Sequence, residues 1–352
     1  MITPMNVRQY LLEGHAIPAH PLALDARRRF SERHQRALTR YYVAAGCGGL
    51  AVGVHSTQFE IRAPEHGLLR PVLQLAAETA RAEQVRSGRP LALIAGVCGD
   101  RATALAEAAQ ARELGYDAAL VSTTALRDRP EPEVAAHLAA ISEVIPVIGF
   151  YLQPAAGGRV FSLDFWRAVA AIPNVVAIKI APFNRYQTLE VIRAVVEAGR
   201  DDLALYTGND DTIIADLLTP FTFAHAGHPV RRQIVGGLLG HWGVWTEASV
   251  RLYREARAHL AGQPSGRDWL ATAAAVTDMN GALFDAAHRF AGCIPGILEV
   301  LRRQGLVATN FCLNPHETLS SGQAEELTRV ARAYPDLVDD TFVATHRDAW
   351  LR

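Results

Sequence analysis

Of the 35 basic residues in this 352-residue chain, 34 are arginine, and the only lysine is Lys179, fifth of six residues in the apolar run 175–180. An arginine keeps its charge in almost any surroundings and is a poor nucleophile. A lysine amine can be neutralised by burial and can condense with a carbonyl. By the two-residue period of a strand, Val175, Ala177 and Lys179 share a face. Small apolar neighbours on that face strip water from the amine, disfavour the ammonium and lower its pKa. The expectation is a Schiff-base nucleophile. The competing reading is a strand-edge lysine whose charged end snorkels to water.

Other residues with chemical potential end similar apolar runs. Tyr151 closes the run 146–151, one strand–helix unit before Lys179. Neighbouring parallel strands lie about 5 Å apart, so its phenol is expected to meet the amine and to carry protons as a carbinolamine forms and loses water. His55, Ser56 and Thr57 follow another apolar run. Their hydroxyls and backbone N–H groups suit a carboxylate, although Ser/Thr turns commonly cap the next helix. Gly208 and Asn209 open a turn in which backbone can approach a substrate, while Asp210 and Asp211 read as helix-capping acids. His20, His55 and His241 fall at strand ends and raise a metal-site alternative, but the sequence has neither H-x-H nor H-E-x-x-H. No metal and no organic cofactor is expected.

The elements that must position these residues alternate regularly. Apolar runs at 15–20, 49–54, 91–97, 118–122, 146–151, 175–180, 203–206 and 234–244 predict eight strands, the last weakened by its glycines. Amphipathic stretches at 30–45, 70–86, 103–114, 133–144, 163–171 and 186–198 predict helices between them. About 30 residues per unit is the βαβ spacing, and nearly continuous Val/Ile/Leu/Ala runs suit strands buried on both faces. The fold expected is an α/β (β/α)8 TIM barrel over residues 1–250 that opens on a short helix at 6–13, followed by a helical region over 251–352. The active site of such a barrel lies at the carboxyl ends of its strands.

Composition narrows the class. With 49% hydrophobic and 20% charged residues the chain has material for a large core. A formal net charge of −1, with arginines scattered among carboxylates, gives no footprint for nucleic acid or an acidic membrane. Residues 1–14 lack a basic start with an apolar signal core, and no apolar run reaches membrane-spanning length. Cys47, Cys98, Cys293 and Cys312 are widely separated and read as small buried hydrophobes, so a cytoplasmic protein is expected.

These motifs resemble the dihydrodipicolinate synthase / N-acetylneuraminate lyase family of class I aldolases over residues 14–310. Tyr151-Leu152-Gln153-Pro154 is similar to the family's Tyr-Asn-x-Pro strand end, and 176–179 to its Gly-x-Lys strand with the Schiff-base lysine. Residues 206–210 resemble its Ser-Gly-Asp-Asp turn, and 95–97 its Ala-Gly-Val strand. The resemblance implies a TIM barrel with a helical tail, a homo-oligomer (dimer or tetramer), and aldol cleavage, addition or dehydration on a 2-oxo acid such as pyruvate. Three departures stand out. Pro154 is followed by 155–158 (Ala-Ala-Gly-Gly) instead of the synthase arginine, with Arg159 nearby. His55-Ser56-Thr57-Gln58 replaces the Thr-Thr carboxylate loop. The stretch 125–128 lacks the tyrosine a partner subunit normally donates. Dihydrodipicolinate synthesis itself is therefore not expected, and the Ala/Gly stretch suggests room for a bulkier or less charged substrate half. Two alternatives remain: a catalytically altered barrel that binds a small molecule, and a metal-dependent barrel enzyme.

Overall fold

The computed structural model describes residues 5–352; Met1–Pro4, which begin the stretch read for a signal, lie outside it. Ten strands occur among the described residues: β1 (Ala16–Pro18), β2 (Gly49–Val52), β3 (Ala92–Val97), β4 (Ala118–Val121), β5 (Val147–Leu152), β6 (Val175–Ala181), β7 (Ala204–Thr207), β8 (Phe221–His225), β9 (His228–Arg232) and β10 (Gly236–Leu239). The first eight α-helices are α1 (Val7–Glu13), α2 (Glu32–Ala45), α3 (Leu69–Ser87), α4 (Arg101–Glu113), α5 (Glu131–Ser142), α6 (Leu163–Ala170), α7 (Arg185–Glu197) and α8 (Ile213–Leu218). The C-terminal helices are α9 (Thr246–Leu260), α10 (Trp269–Leu283), α11 (Cys293–Arg303), α12 (Gln323–Ala333) and α13 (Asp340–Trp350). All strands except β8 and β9 belong to one eight-stranded sheet, and the fold is a (β/α)8 TIM barrel with a C-terminal helical extension.

The chain divides into two compact units, residues 1–15 with 92–238, and residues 16–91 with 239–352. In the first unit, β3, β4, β5, β6, β7 and β10 pair in parallel in that order. Their residues are buried almost without break, which is why the sequence runs read as continuous rather than alternating. The helices start where short polar side chains accept from their first turns: Asp100 from the Thr103 N–H at 2.9 Å, Ser162 from Phe165 at 3.2 Å and Asn184 from Tyr186 at 2.9 Å. The antiparallel hairpin β8–β9, which the sequence reading did not anticipate, precedes β10; it turns at Ala226 and Gly227, both with positive φ. The run 234–244, read as one strand, is a strand only over Gly236–Leu239, and His241–Gly243 form a 3-10 turn.

In the second unit, a parallel bridge joins Ala19, just past β1, to Ala51 of β2. A buried carboxylate ties the tail into this unit. Asp339, just ahead of α13, accepts from the Tyr41 hydroxyl (2.6 Å), the Glu247 N–H (3.0 Å) and the Gln304 amide (2.9 Å). The segment between α11 and α12 lies on the loops that follow β1 and β2. Thr309 donates to the Leu24 carbonyl at 3.0 Å, Arg28 donates to the Cys312 carbonyl, and the Leu313 N–H donates to the Gln58 Oε1 at 2.6 Å. Among the described residues no helix is long and apolar enough to cross a membrane.

Candidate active site around Lys179

Strand parity decides what faces Lys179. Residues of β5 and β6 pair with a register shift at Val147/Ile148: Val147 is opposite Val175 but Ile148 is opposite Ala177, so Val176 is an extra, bulged residue. Beyond the bulge Phe150 pairs with Lys179 and Tyr151 with Ile180. A carbon added to Gly149 would lie 3.4 Å from the Ile178 Cγ1 and 3.5 Å from the Val169 Cγ1 of α6, so that parity faces the helix layer. Phe150 and Lys179 have the opposite parity and point to the barrel interior.

Tyr151 is accordingly not where the sequence reading put it. Its side chain is fully buried, its ring lies 4.9 Å from Trp166 and 6.0 Å from Phe161, and its hydroxyl accepts the Phe161 N–H at 3.3 Å. Burial pushes its phenol above the ordinary tyrosine range. The structure therefore does not bring the Tyr151 phenol to the Lys179 amine; the bulge at Val176 is the physical reason. The residue facing the amine is Phe150, whose ring centre is 4.5 Å from Nζ. That distance suits a cation–π contact, and the ring carries no exchangeable proton.

Lys179 itself is half-buried. Desolvation of its amine lowers the pKa to about 8, against the opposing pull of the Asp210 carboxylate. The lysine stem lies against the turn after β7. A carbon added to Gly208 would lie 2.5 Å from the Lys179 Cε and 2.8 Å from the Ala181 Cβ, so glycine at 208 is what lets the amine occupy this position. The turn is fastened from behind. The Gly208 N–H donates to the Ile180 carbonyl at 2.7 Å, and the Asn209 N–H to the Thr207 Oγ1 at 3.1 Å. Asn209 accepts the Phe183 N–H at 3.0 Å and donates to Thr188 (3.1 Å) and to the fully buried Asp216 (2.9 Å). Asp216 also accepts from Thr207 and from Arg185, each at 2.6 Å. Burial raises the Asp216 pKa, offset by those three donors. The Asn209 side chain is thus engaged in this interior network.

The residues expected to hold a carboxylate lie in the second unit. Thr57 is buried, donates to the His20 carbonyl at 2.6 Å and accepts the Gly53 N–H at 3.0 Å, so its hydroxyl fastens the loop. Ser56 is buried, and its hydroxyl has no hydrogen-bond partner among the described residues. His55 is half-buried with its ring 5.9 Å from Phe59. His20 is a core residue, bonded to Thr39, to the Gln35 amide and to the Pro21 carbonyl, each at 2.9 Å. His20 and His241 are both pushed down to about 4 by burial. No group of three or more His, Cys, Asp or Glu is placed to hold a metal ion among the described residues, so the convergence of His20, His55 and His241 is not found.

One other expectation fails on geometry. The Ala/Gly stretch is a tight 3-10 turn rather than an opening: Gly157 has φ +91°, and a carbon on Gly158 would sit 1.9 Å from the Leu152 carbonyl oxygen. Arg159 donates to the carbonyls of Arg127 (2.9 Å) and Arg129 (2.7 Å), so its guanidinium braces a loop. Sequence reasoning missed Phe150 and assigned Asp210 and Asp211 to capping. The two-residue period counted back from Lys179 cannot reveal a bulge, so no signal identified Phe150.

Comparisons with known proteins bear on the fold and the family. No curated protein matches significantly. Solved structures with the same fold include a dihydrodipicolinate synthase from Agrobacterium tumefaciens, 20% identical with a TM-score of 0.71 over 92% of this chain and 99% of that one. Another is the Acinetobacter baumannii dihydrodipicolinate synthase complexed with pyruvate (18%, 0.71, 92% and 98%). A third is the N-acetylneuraminate lyase from Fusobacterium nucleatum (16%, 0.70, 92% and 99%). A family model described as "Dihydrodipicolinate synthetase family" matches residues 17–222, more than half of the chain. With a TIM barrel, a single desolvated lysine at the end of its sixth strand and this match, the chain belongs to the dihydrodipicolinate synthetase family.

Proposed function

We propose that the protein is a Schiff-base lyase or aldolase in which Lys179 condenses with the C2 carbonyl of a 2-oxo acid such as pyruvate. The observation that carries this reading is the Lys179 amine, desolvated to a pKa of about 8 and held by Phe150 on one side and Gly208 on the other. An amine titrating there has a useful neutral fraction near physiological pH. The iminium it forms withdraws electrons from C3, which supports aldol cleavage, addition or dehydration at that carbon. Dihydrodipicolinate synthesis is disfavoured, because the arginine nearest the motif, Arg159, is engaged with backbone carbonyls. We place the protein in the cytoplasm as a homo-oligomer, by likeness to its family; sedimentation of the purified chain tests the second point.

The deciding experiment is incubation with pyruvate and borohydride followed by peptide mass mapping. The reduced adduct is expected on Lys179, with the trapping rate rising with pH through about 8 as the amine loses its proton. Absence of an adduct with every member of a 2-oxo acid panel removes this reading. A second reading, a barrel that binds a small molecule without turnover, draws on Phe150, which offers no proton to the amine. Ligand-induced stabilisation retained in Lys179→Arg, with no product formed, selects it.

A further inference from the structure

The turn after β7 sets where the Lys179 stem can lie, since a carbon added to Gly208 would collide with it at Cε. One buried carboxylate holds that turn. Asp216 lies on α8 and is fully buried. Its Oδ2 accepts the Thr207 hydroxyl at 2.6 Å and the Asn209 amide at 2.9 Å, so it grips the residues on both sides of Gly208. Its Oδ1 accepts the guanidinium of Arg185, the first residue of α7, at 2.6 Å.

Asn209 carries the connection to the loop after β6. Its Oδ1 accepts the Phe183 N–H at 3.0 Å, and its second amide hydrogen goes to the Thr188 hydroxyl at 3.1 Å. Phe183 lies just past the end of β6 with φ +52°, a left-handed conformation that a non-glycine residue holds only where its surroundings impose it. The Gly208 N–H closes the circuit by donating to the carbonyl of Ile180, the residue after Lys179, at 2.7 Å. Burying a charge cancels much of what its hydrogen bonds return, so such a cluster is a weak source of stability. A fully bonded buried network does fix one arrangement of the groups it joins.

We propose that Asp216 is a positioning residue for Lys179: through Thr207 and Asn209 it fixes the Gly208 backbone against the lysine stem and so holds Nζ over the Phe150 ring. Its use in turnover rests on the Schiff-base reading of Lys179. Asp216 has no exposed surface, so its action is carried by the turn and not by contact with a substrate. A loosened turn gives the lysine stem room to move and lets water reach the amine. Water favours the ammonium and therefore raises the amine pKa from about 8.

Asp216→Asn keeps the side-chain shape but sets an NH2 group against donors that need an acceptor. Its effect is read without substrate, from the pH dependence of acetic anhydride labelling of the Lys179 peptide, and with substrate, from borohydride trapping of saturating pyruvate at pH 7. The labelling midpoint is expected to rise by about one pH unit, and trapping to slow by about tenfold as the neutral fraction shrinks. Loss of the negative charge alone would lower the midpoint, so the direction of the shift separates positioning from a field effect. Thr207→Val removes the hydroxyl that Asp216 grips; it is expected to move the midpoint the same way, and the double variant to move it no further. Val195→Ala, a cavity in the buried face of α7, is the control for general loosening: its melting falls and its midpoint stays. Circular dichroism shows which variants are folded, and Thr207→Val carries the test if Asp216→Asn is not. A midpoint that stays or falls in the folded variant, or that rises equally in Val195→Ala, overturns the proposal. If the wild-type protein forms no pyruvate adduct while the midpoint still rises in Asp216→Asn, the Schiff-base reading falls and the positioning role stands.

Discussion

At the scale of single residues, the position of the Lys179 amine depends on an atom that is missing from its neighbour. Gly208 has no need of glycine for its backbone angles, since its φ is not in the left-handed region. It needs glycine because a Cβ would meet the lysine Cε at 2.5 Å. Gly208→Ala is expected to lower melting as well, because the lysine end can swing aside but the Ala181 Cβ, 2.8 Å from the added carbon, cannot. It is expected to slow borohydride trapping of pyruvate by about 10²-fold, the cost of misplacing a reacting atom by about 1 Å; stopped-time trapping with mass detection reads the variant and its parent side by side. The contrast between Lys179 and the 34 arginines was legible in the sequence because it is a matter of residue type. The partner of Lys179 was not, because which of Phe150 and Tyr151 faces it depends on one extra residue in β6. A bulge reverses side-chain parity without changing composition.

At the scale of elements, the strands were legible to within a few residues, since strands buried on both faces leave unmistakable apolar runs. The β8–β9 hairpin was not. Its exposed face carries no apolar run, and its turn is built on Ala226-Gly227 rather than an Asn-Gly pair. The helical tail was recognised, but not its use. The segment between α11 and α12 accepts and donates hydrogen bonds with the loops that follow β1 and β2, so it serves those loops as a clasp. Gln58 has φ +68° and is fully buried, with its Oε1 taking the Leu313 N–H at 2.6 Å. Gln58→Leu leaves that N–H buried without a partner, a loss of about 1–3 kcal/mol. Limited proteolysis is expected to cut first between 306 and 320 in this variant and not in the parent; equal cleavage patterns would show that the clasp is held by other contacts.

At the scale of the whole molecule, two histidines that chemistry had seemed to recommend as ligands contribute to the fall of stability in acid. His20 and His241 have folded pKa values of about 4, below the ordinary 6.5, because burial disfavours the charged ring. Between those values the unfolded chain binds protons that the native one refuses, so stability is full above pH 6.5 and falls as pH drops towards 4. The loss is on the order of 3 kcal/mol for each ring. Chemical denaturation at pH 7 and pH 4.5 is expected to show this fall, and His20→Asn, which keeps a polar group near Thr39 and Gln35, is expected to flatten the slope. Fold class was readable from one sequence because eight repeated units each carry a weak version of the same signal. The environment of the amine was not, because it rests on single contacts between elements distant in the chain. The solitary lysine also has a spectroscopic consequence. Protein grown on lysine labelled with nitrogen-15 would carry its label on a single side-chain nitrogen. One resonance would then report protonation, imine formation and release at Lys179, with no other side chain to confuse the trace.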